Sequence, residues 1–169
     1  MSLVKKIYQI LPASIRDTFL LRFFGFTKVP LIFWVRPVIK ELSDKRCIIK
    51  IPLIRRTKNH LGSMYFGALA IGADCAGGFA AMKIILESSE KASLVFKDLH
   101  ADFLKRPESD TYFTCEQVPQ IKEFAEKVFS SNERHDMPLK IVATCPDKFG
   151  NDPVATFTLT LSLKKKRDQ

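Results

Sequence analysis

Asp74 sits in NHLGSMYFGALAIGADCAGGFAAM (residues 59–82), a stretch otherwise built almost entirely of small or apolar residues. An ionised carboxylate is costly in apolar surroundings unless something compensates it. A carboxylate kept there is either hydrogen-bonded as a structural group or used as a general base or nucleophile. The other reactive side chains are less organised. His60, His100 and His135 are scattered without partners at useful spacing and read as surface or structural residues. Cys47, Cys75, Cys115 and Cys145 form no CxxC motif and no metal-ligand spacing with histidine, so reduced and mostly buried thiols are expected, and no metal site. Cys75 follows Asp74 directly, which on a helix turns it about 100° away, toward packing rather than chemistry.

The chain that must position Asp74 has 169 residues, enough for one domain with a real core. With 46% hydrophobic and 27% charged residues it is an ordinary globular composition, and its fourteen Phe point to a large apolar interior or pocket. The formal charge of +9 favours an anionic partner without naming one. Nucleic acid ranks last, because no basic–aromatic binding module accompanies the charge. The terminal LKKKRDQ reads as a solvated end, with contact to cofactor phosphates as the alternative. In the first 35 residues Pro12, Arg16, Asp17, Arg22, Lys28 and Pro30 break every apolar run short of the roughly 18–20 residues that span a membrane. No signal-peptide cleavage pattern follows them. A soluble, cytoplasmic protein with an apolar N-terminal arm is expected.

Residues 1–24 have apolar residues at helical spacing with Lys5, Lys6, Arg16 and Arg22 among them, a pattern that suits packing on the domain's own sheet or on a partner subunit, or contact with a membrane surface. LIFWVRPVIKEL reads as extended. In KRCIIKIPLIRR, Cys47, Ile49, Ile51 and Leu53 alternate with polar residues as in a one-face-buried strand, and Pro52 argues for an edge or a bulge. Ser63 is the expected N-cap of a helix running to about Ile85. Its glycines each weaken a helix by about 1 kcal/mol relative to Ala, which fits a sheet wrapping closely around it. SLVFKDLHADFLKRP and SDTYFTCEQ read as strands, PQIKEFAEKVFSS as an amphipathic helix, and MPLKIVATC as a strand. PDKFGNDP reads as a turn and VATFTLTLSLKKK as a long half-buried strand. Strands in runs rather than alternating with helices imply α+β architecture with an antiparallel sheet.

A long buried helix followed by antiparallel strands suggests a hotdog fold, and the motif agrees. N-x-x-G-x-x-x-x-G-A-L-x-x-x-A-D-x-A-G-G over residues 59–78 resembles the N-x-x-G-T-x-H-G-G-A-x-x-x-L-x-D signature of hotdog thioesterases of the phenylacetate-pathway (PaaI-like) type. Asn59, Gly62, Gly67 and Asp74 take the motif Asn, the first Gly, the second Gly and the catalytic carboxylate. Tyr65 and Phe66 stand where the family has His and Gly, and with this altered motif the chain looks most like an uncharacterised branch of the superfamily. DFLKRP at 102–107 resembles the end of the family's third strand. The likeness covers roughly residues 40–165, giving a single hotdog domain over 1–169 with an arm over 1–35 and a core over 36–169.

The resemblance implies hydrolysis of an acyl thioester, usually of coenzyme A, which enters as substrate; no other cofactor and no metal is implied. The backbone N–H of Phe66, with Gly67 beside it, would form the oxyanion hole at the helix N-terminus, and Tyr65 could hydrogen-bond nearby. Asp74 would attack the carbonyl or activate water, and Asn59 would position the water or the carboxylate. In the family the carboxylate comes from the opposite subunit, so a homodimer or tetramer is implied. The strand serine or threonine that often assists has Phe96 and Lys97 near its place, with Ser93 the nearest substitute. Two alternatives accompany the thioesterase reading: a hotdog protein that binds acyl-CoA or fatty acyl groups without turnover, and a structural dimer touching membrane through residues 1–24.

Overall fold

The computed structural model describes residues 12–166. Among these residues two helices, α1 (Ala13–Lys28) and α2 (Pro30–Val35), are followed by strands β1 (Val38–Leu42) and β2 (Cys47–Ile51). The long helix α3 (Phe66–Glu87) leads into β3 (Ala92–Phe103) and β4 (Thr111–Cys115). Helix α4 (Val118–Phe129), strand β5 (Arg134–Thr144), the single turn α5 (Pro146–Phe149) and strand β6 (Pro153–Lys165) complete the order.

The six strands form one sheet in the order β1-β2-β4-β5-β6-β3, every pair antiparallel. The α+β class and antiparallel sheet expected from the sequence are therefore present. Burial alternates along β2, where Cys47, Ile49 and Ile51 face the core. In β6 it is Ala155, Phe157, Leu159, Leu161 and Leu163 that face inward, as period-2 pleating requires.

The core is the contact between this sheet and α3. Phe113 of β4 presses on the helix so closely that a Cβ at Gly72 would lie 2.3 Å from its ring. Glycine there accepts a helix-propensity cost so that sheet and helix can touch. By composition α3 is apolar enough to cross a membrane, but half of that apolar window is enclosed by the fold. On α4, Ile121, Ala125 and Val128 are buried at the spacing the sequence pattern predicts, with Pro119 in the first turn.

Four local expectations are corrected. Helix α3 begins at Phe66 with Tyr65 as its cap, not at Ser63. Ser63 is instead buried in the preceding loop, where its Oγ accepts a hydrogen bond from Arg106 Nε at 3.2 Å. The stretch around Trp34 is not extended throughout: Pro30 occupies the first turn of α2, which runs to Val35 before β1 starts. Pro52 lies neither on an edge strand nor in a bulge, because β2 is interior, between β1 and β4, and ends at Ile51. The PDKF part of the expected turn closes into one helical turn, α5, ahead of Gly150 at φ 57°.

Within the described residues, the N-terminal arm is α1 and α2 folded back on the domain. The Asp17 carboxylate, buried, meets Lys83 Nζ of α3 at 3.2 Å. Thr18 Oγ1 accepts the Ile39 N–H of β1 at 2.9 Å, and Arg22 Nε donates to Pro37 O at 2.9 Å. The first contact ties α1 to α3, and the other two tie it to β1 and the residue before it. Residues 1–11, including Lys5 and Lys6, lie outside the described residues.

Candidate active site

Helix α3 supplies both halves of the expected chemistry. At its start, the chain is pinned on both sides: Met64 N–H donates to Pro107 O at 2.8 Å and Tyr65 N–H to Thr57 O at 2.7 Å. Tyr65 O then accepts the N–H groups of Ala68 and Leu69, which leaves those of Phe66 and Gly67 without a protein acceptor among the described residues. Two unspent N–H groups at the positive end of a 22-residue helix form a donor pair suited to a developing oxyanion.

The Tyr65 ring folds over the same point. A Cβ on Gly67 would lie 2.6 Å from Tyr65 Cε1, so glycine is required for that ring position. Tyr65 and Phe66 have ring centroids 4.6 Å apart and both are largely exposed, so the Phe66 side chain points to solvent rather than across its own N–H.

Asn59 shapes the approach to this turn. Its Oδ1 accepts the N–H groups of Leu61 at 2.9 Å and Ser63 at 3.2 Å, and its own N–H donates to Ser63 O at 2.8 Å. The carboxamide oxygen is thus spent on holding the loop, while Gly62 at φ 80° makes the reversal that L side chains rarely adopt.

Two turns further on, Asp74 is half-buried on the side of α3 that faces α1 and β3. Among the described residues nothing hydrogen-bonds or pairs with its carboxylate, and burial alone pushes its pKa up from 3.8 to about 6. It lines a cavity of about 350 Å3 walled by Leu21, Phe24, Phe79, Met82 and Leu94. Gly78, one turn on, leaves the carboxylate room: a Cβ there would lie 3.7 Å from Asp74 Oδ1 and 3.3 Å from the Phe96 ring.

Ser93 and Lys166 also line this cavity. Ser93 Oγ accepts a hydrogen bond from Arg134 Nη2 at 3.0 Å, so its own proton is available to an acceptor in the cavity. Cys75 is buried on the cavity wall, and burial pushes its thiol well above the ordinary range, which leaves it no thiolate for nucleophilic work. His60 and His100 are exposed, and none of the three histidines lines the cavity.

Within one chain, the helix N-terminus and the carboxylate do not meet. Phe66 and Asp74 are eight residues apart, about 12 Å along the axis at 1.5 Å per residue. Neither Asn59, Tyr65, Phe66 nor Gly67 lines the Asp74 cavity. The arm residues that do, Leu21, Phe24 and Ile32, were not foreseen as site residues. The signal for them was the all-round apolar character of residues 19–35, more than one packed face needs.

A six-stranded antiparallel sheet wrapped on one long helix is the hotdog fold, and solved structures share it. Protein PA5026 of Pseudomonas aeruginosa aligns with a TM-score of 0.69 and 19% identity over 92% of this chain and 97% of that one. The thioesterase HI1161 from Haemophilus influenzae gives 0.63 and 15% over 89% and 91%, and zebrafish thioesterase superfamily member 2 gives 0.61 and 12% over 90% and 99%. At these identities the likeness carries the fold. The chain belongs to the family described as Domain of unknown function (DUF4442), which it matches over residues 18–162. No curated protein matches it.

Proposed function

We propose that the protein is a thioesterase that hydrolyses an acyl-CoA or related acyl thioester, with Asp74 as the base and the Phe66–Gly67 turn of a partner subunit as the oxyanion hole. The observation that carries this reading is the Asp74 carboxylate on a cavity wall, unpaired among the described residues. With a pKa near 6 it is mostly ionised at neutral pH yet basic enough to take a proton from water. Water adds to the thioester carbonyl as Asp74 accepts its proton, and the oxyanion is held by the two free N–H groups. Collapse breaks the C–S bond, and the proton passes to the departing thiolate, giving acid and thiol.

Two copies of the chain are needed because one helix separates the two groups. The open edge of β3, twelve residues with Val95, Leu99 and Phe103 exposed, supports pairing with a second copy. A non-catalytic acyl-binding protein would use the same cavity without turnover.

Mixed dimers test the arrangement. Phe66→Pro removes the main donor at a helix position that favours proline, after a residue already extended at ψ 138°. It should lower kcat by about 10²-fold or more, as should Asp74→Asn. Mixing the two variants should restore about a quarter of wild-type activity, since half the dimers are mixed and each holds one intact site. No recovery in proven mixed dimers rules out a site shared between subunits.

The outer face of the arm favours an additional property, peripheral contact with an anionic lipid surface. Phe19, Phe23 and Phe26 on α1, with Leu31 and Trp34 on α2, are exposed, and Arg56 stacks on Trp34 at 4.3 Å. Lys28, Arg36 and Lys40 are exposed around them, and the one acid between residues 13 and 40, Asp17, is buried against Lys83. An exposed apolar face on a segment whose exposed charges are cations suits an anionic bilayer.

A further inference from the structure

The cavity at Asp74 has a neighbour across Met82. A second hollow, of about 380 Å3, lies against it and shares Phe24, Met82, Ala92 and Leu94 with it. On α3 the lining residues follow one stripe: Asp74, Gly78 and Met82, then Ile85 and Leu86. Helix α1 roofs both hollows, through Leu21 and Phe24 over the first and Leu20, Phe23 and Phe24 over the second.

Polar side chains are few in both linings. Asp74, Ser93 and Lys166 line the first hollow, with Ser93 and Lys166 beside the shared Ala92, and Thr27 and Lys28 line the second; the other lining side chains are apolar apart from the Cys75 thiol. Such a passage has a carboxylate at one end and mostly apolar walls beyond it, which suits a hydrocarbon chain better than a polar one.

Its length sets what fits. From Asp74 to Met82 is about 12 Å along α3, and to Leu86 about 18 Å, at 1.5 Å per residue. An extended carbon zigzag advances about 1.2 Å per bond, one third of the roughly 3.5 Å that three backbone bonds span. The first hollow therefore holds about ten carbons, and the two together about fifteen.

We propose that this passage is an acyl-chain channel, that it takes straight chains of about ten to sixteen carbons with the thioester at Asp74, and that Phe24 and Met82 form its gate. The assignment of the thioester end rests on the thioesterase reading; the channel itself does not. Bound carbons would lie between α1 and α3, so the arm is the part of the fold that sets chain length.

Non-hydrolysable S-alkyl-CoA thioethers separate the two claims, because they report binding without turnover. Calorimetric titration of the full-length protein with S-ethyl-, S-decyl- and S-hexadecyl-CoA should show affinity rising by about 10²-fold or more from two to ten carbons, and further to sixteen, as methylenes leave water. Met82→Trp, which fills the gate, should bring the sixteen-carbon ligand down to or below the ten-carbon one. Leu86→Glu changes an exposed residue at the far rim, so the fold is safe. It should weaken the sixteen-carbon ligand about tenfold more than the ten-carbon one. Affinity independent of chain length, or equal losses for every ligand in both variants, overturns the channel. Chain-dependent binding in a protein that hydrolyses no acyl-CoA keeps the channel and removes the thioesterase reading; hydrolysis with chain-independent binding does the reverse.

Discussion

Replacing Asp74 with Asn should make the protein more stable at neutral pH while destroying its activity, and the size of the gain follows from the structure. Burial raises the Asp74 pKa from 3.8 to about 6, with no hydrogen bond or cation among the described residues to oppose it. Folding thus favours the protonated acid. Below pH 3.8 the acid is neutral in both states and costs no more than an amide of the same shape. Between 3.8 and 6 the unfolded chain ionises first, so stability is lost as pH rises, and above 6 the full penalty applies. At about 1.4 kcal/mol per pH unit, the penalty is about 3 kcal/mol at pH 7.5. Asp74→Asn removes it, which for a domain of this size raises Tm by about 6–12 °C. The assay is thermal or urea unfolding of both proteins at pH 3.5, 5 and 7.5, at one protein concentration so that any self-association contributes equally. The two curves should nearly coincide at pH 3.5 and separate with increasing pH. A variant that is less stable at pH 7.5, or a difference that does not change with pH, refutes the reasoning. Either result would mean that the carboxylate is hydrogen-bonded in the folded protein and serves structure.

The remaining expectations concern the same carboxylate and the arm. The pH profile of kcat/KM on an acyl-CoA should rise to a plateau through an apparent pKa near 6, because the ionised form is the base. A limb near 4, or none, would leave catalysis to another group. In vesicle sedimentation the protein should pellet with vesicles of mixed phosphatidylcholine and phosphatidylglycerol, less so with phosphatidylcholine alone or at high salt. A Phe19→Asp, Phe26→Asp double variant, changed only at exposed positions, should stay in the supernatant. Dissociation of the double variant to monomers, with no lipid binding by the wild type, would instead make this face a subunit contact.

Much of the fold is legible in the sequence where periodicity and packing agree. The alternation in residues 47–51 and 154–163 marks β2 and β6, and the i, i+4, i+7 spacing of Ile121, Ala125 and Val128 marks α4. The glycines of α3 signalled close approach, and Phe113 against Gly72 is that approach. Helix α2 was obscured because LIFWV carries the branched and aromatic residues of a strand; only Pro30 at its start pointed the other way. Ser63 looked like a cap because the rule sees residue type, whereas Arg106, more than forty residues away, claims its hydroxyl.

The site divides along similar lines. Asp74 stood out because one charge in an apolar helix is visible locally. The channel did not, since its walls come from residues 20–32 on the arm, 74–86 on α3 and 92–94 on β3, which only the folded chain brings together. Asn59 matched the motif by spacing, but spacing could not reveal that its oxygen is committed to the loop.

The most direct test of the central claim is thioester hydrolysis across a panel of acyl-CoAs from two to eighteen carbons, wild type against Asp74→Asn. The account predicts turnover by the wild type on medium and long chains and a loss of about 10²-fold or more in the variant, since the change keeps the shape of the side chain and removes the base. A wild type that hydrolyses none of the panel, or a variant as active as the wild type, would contradict it.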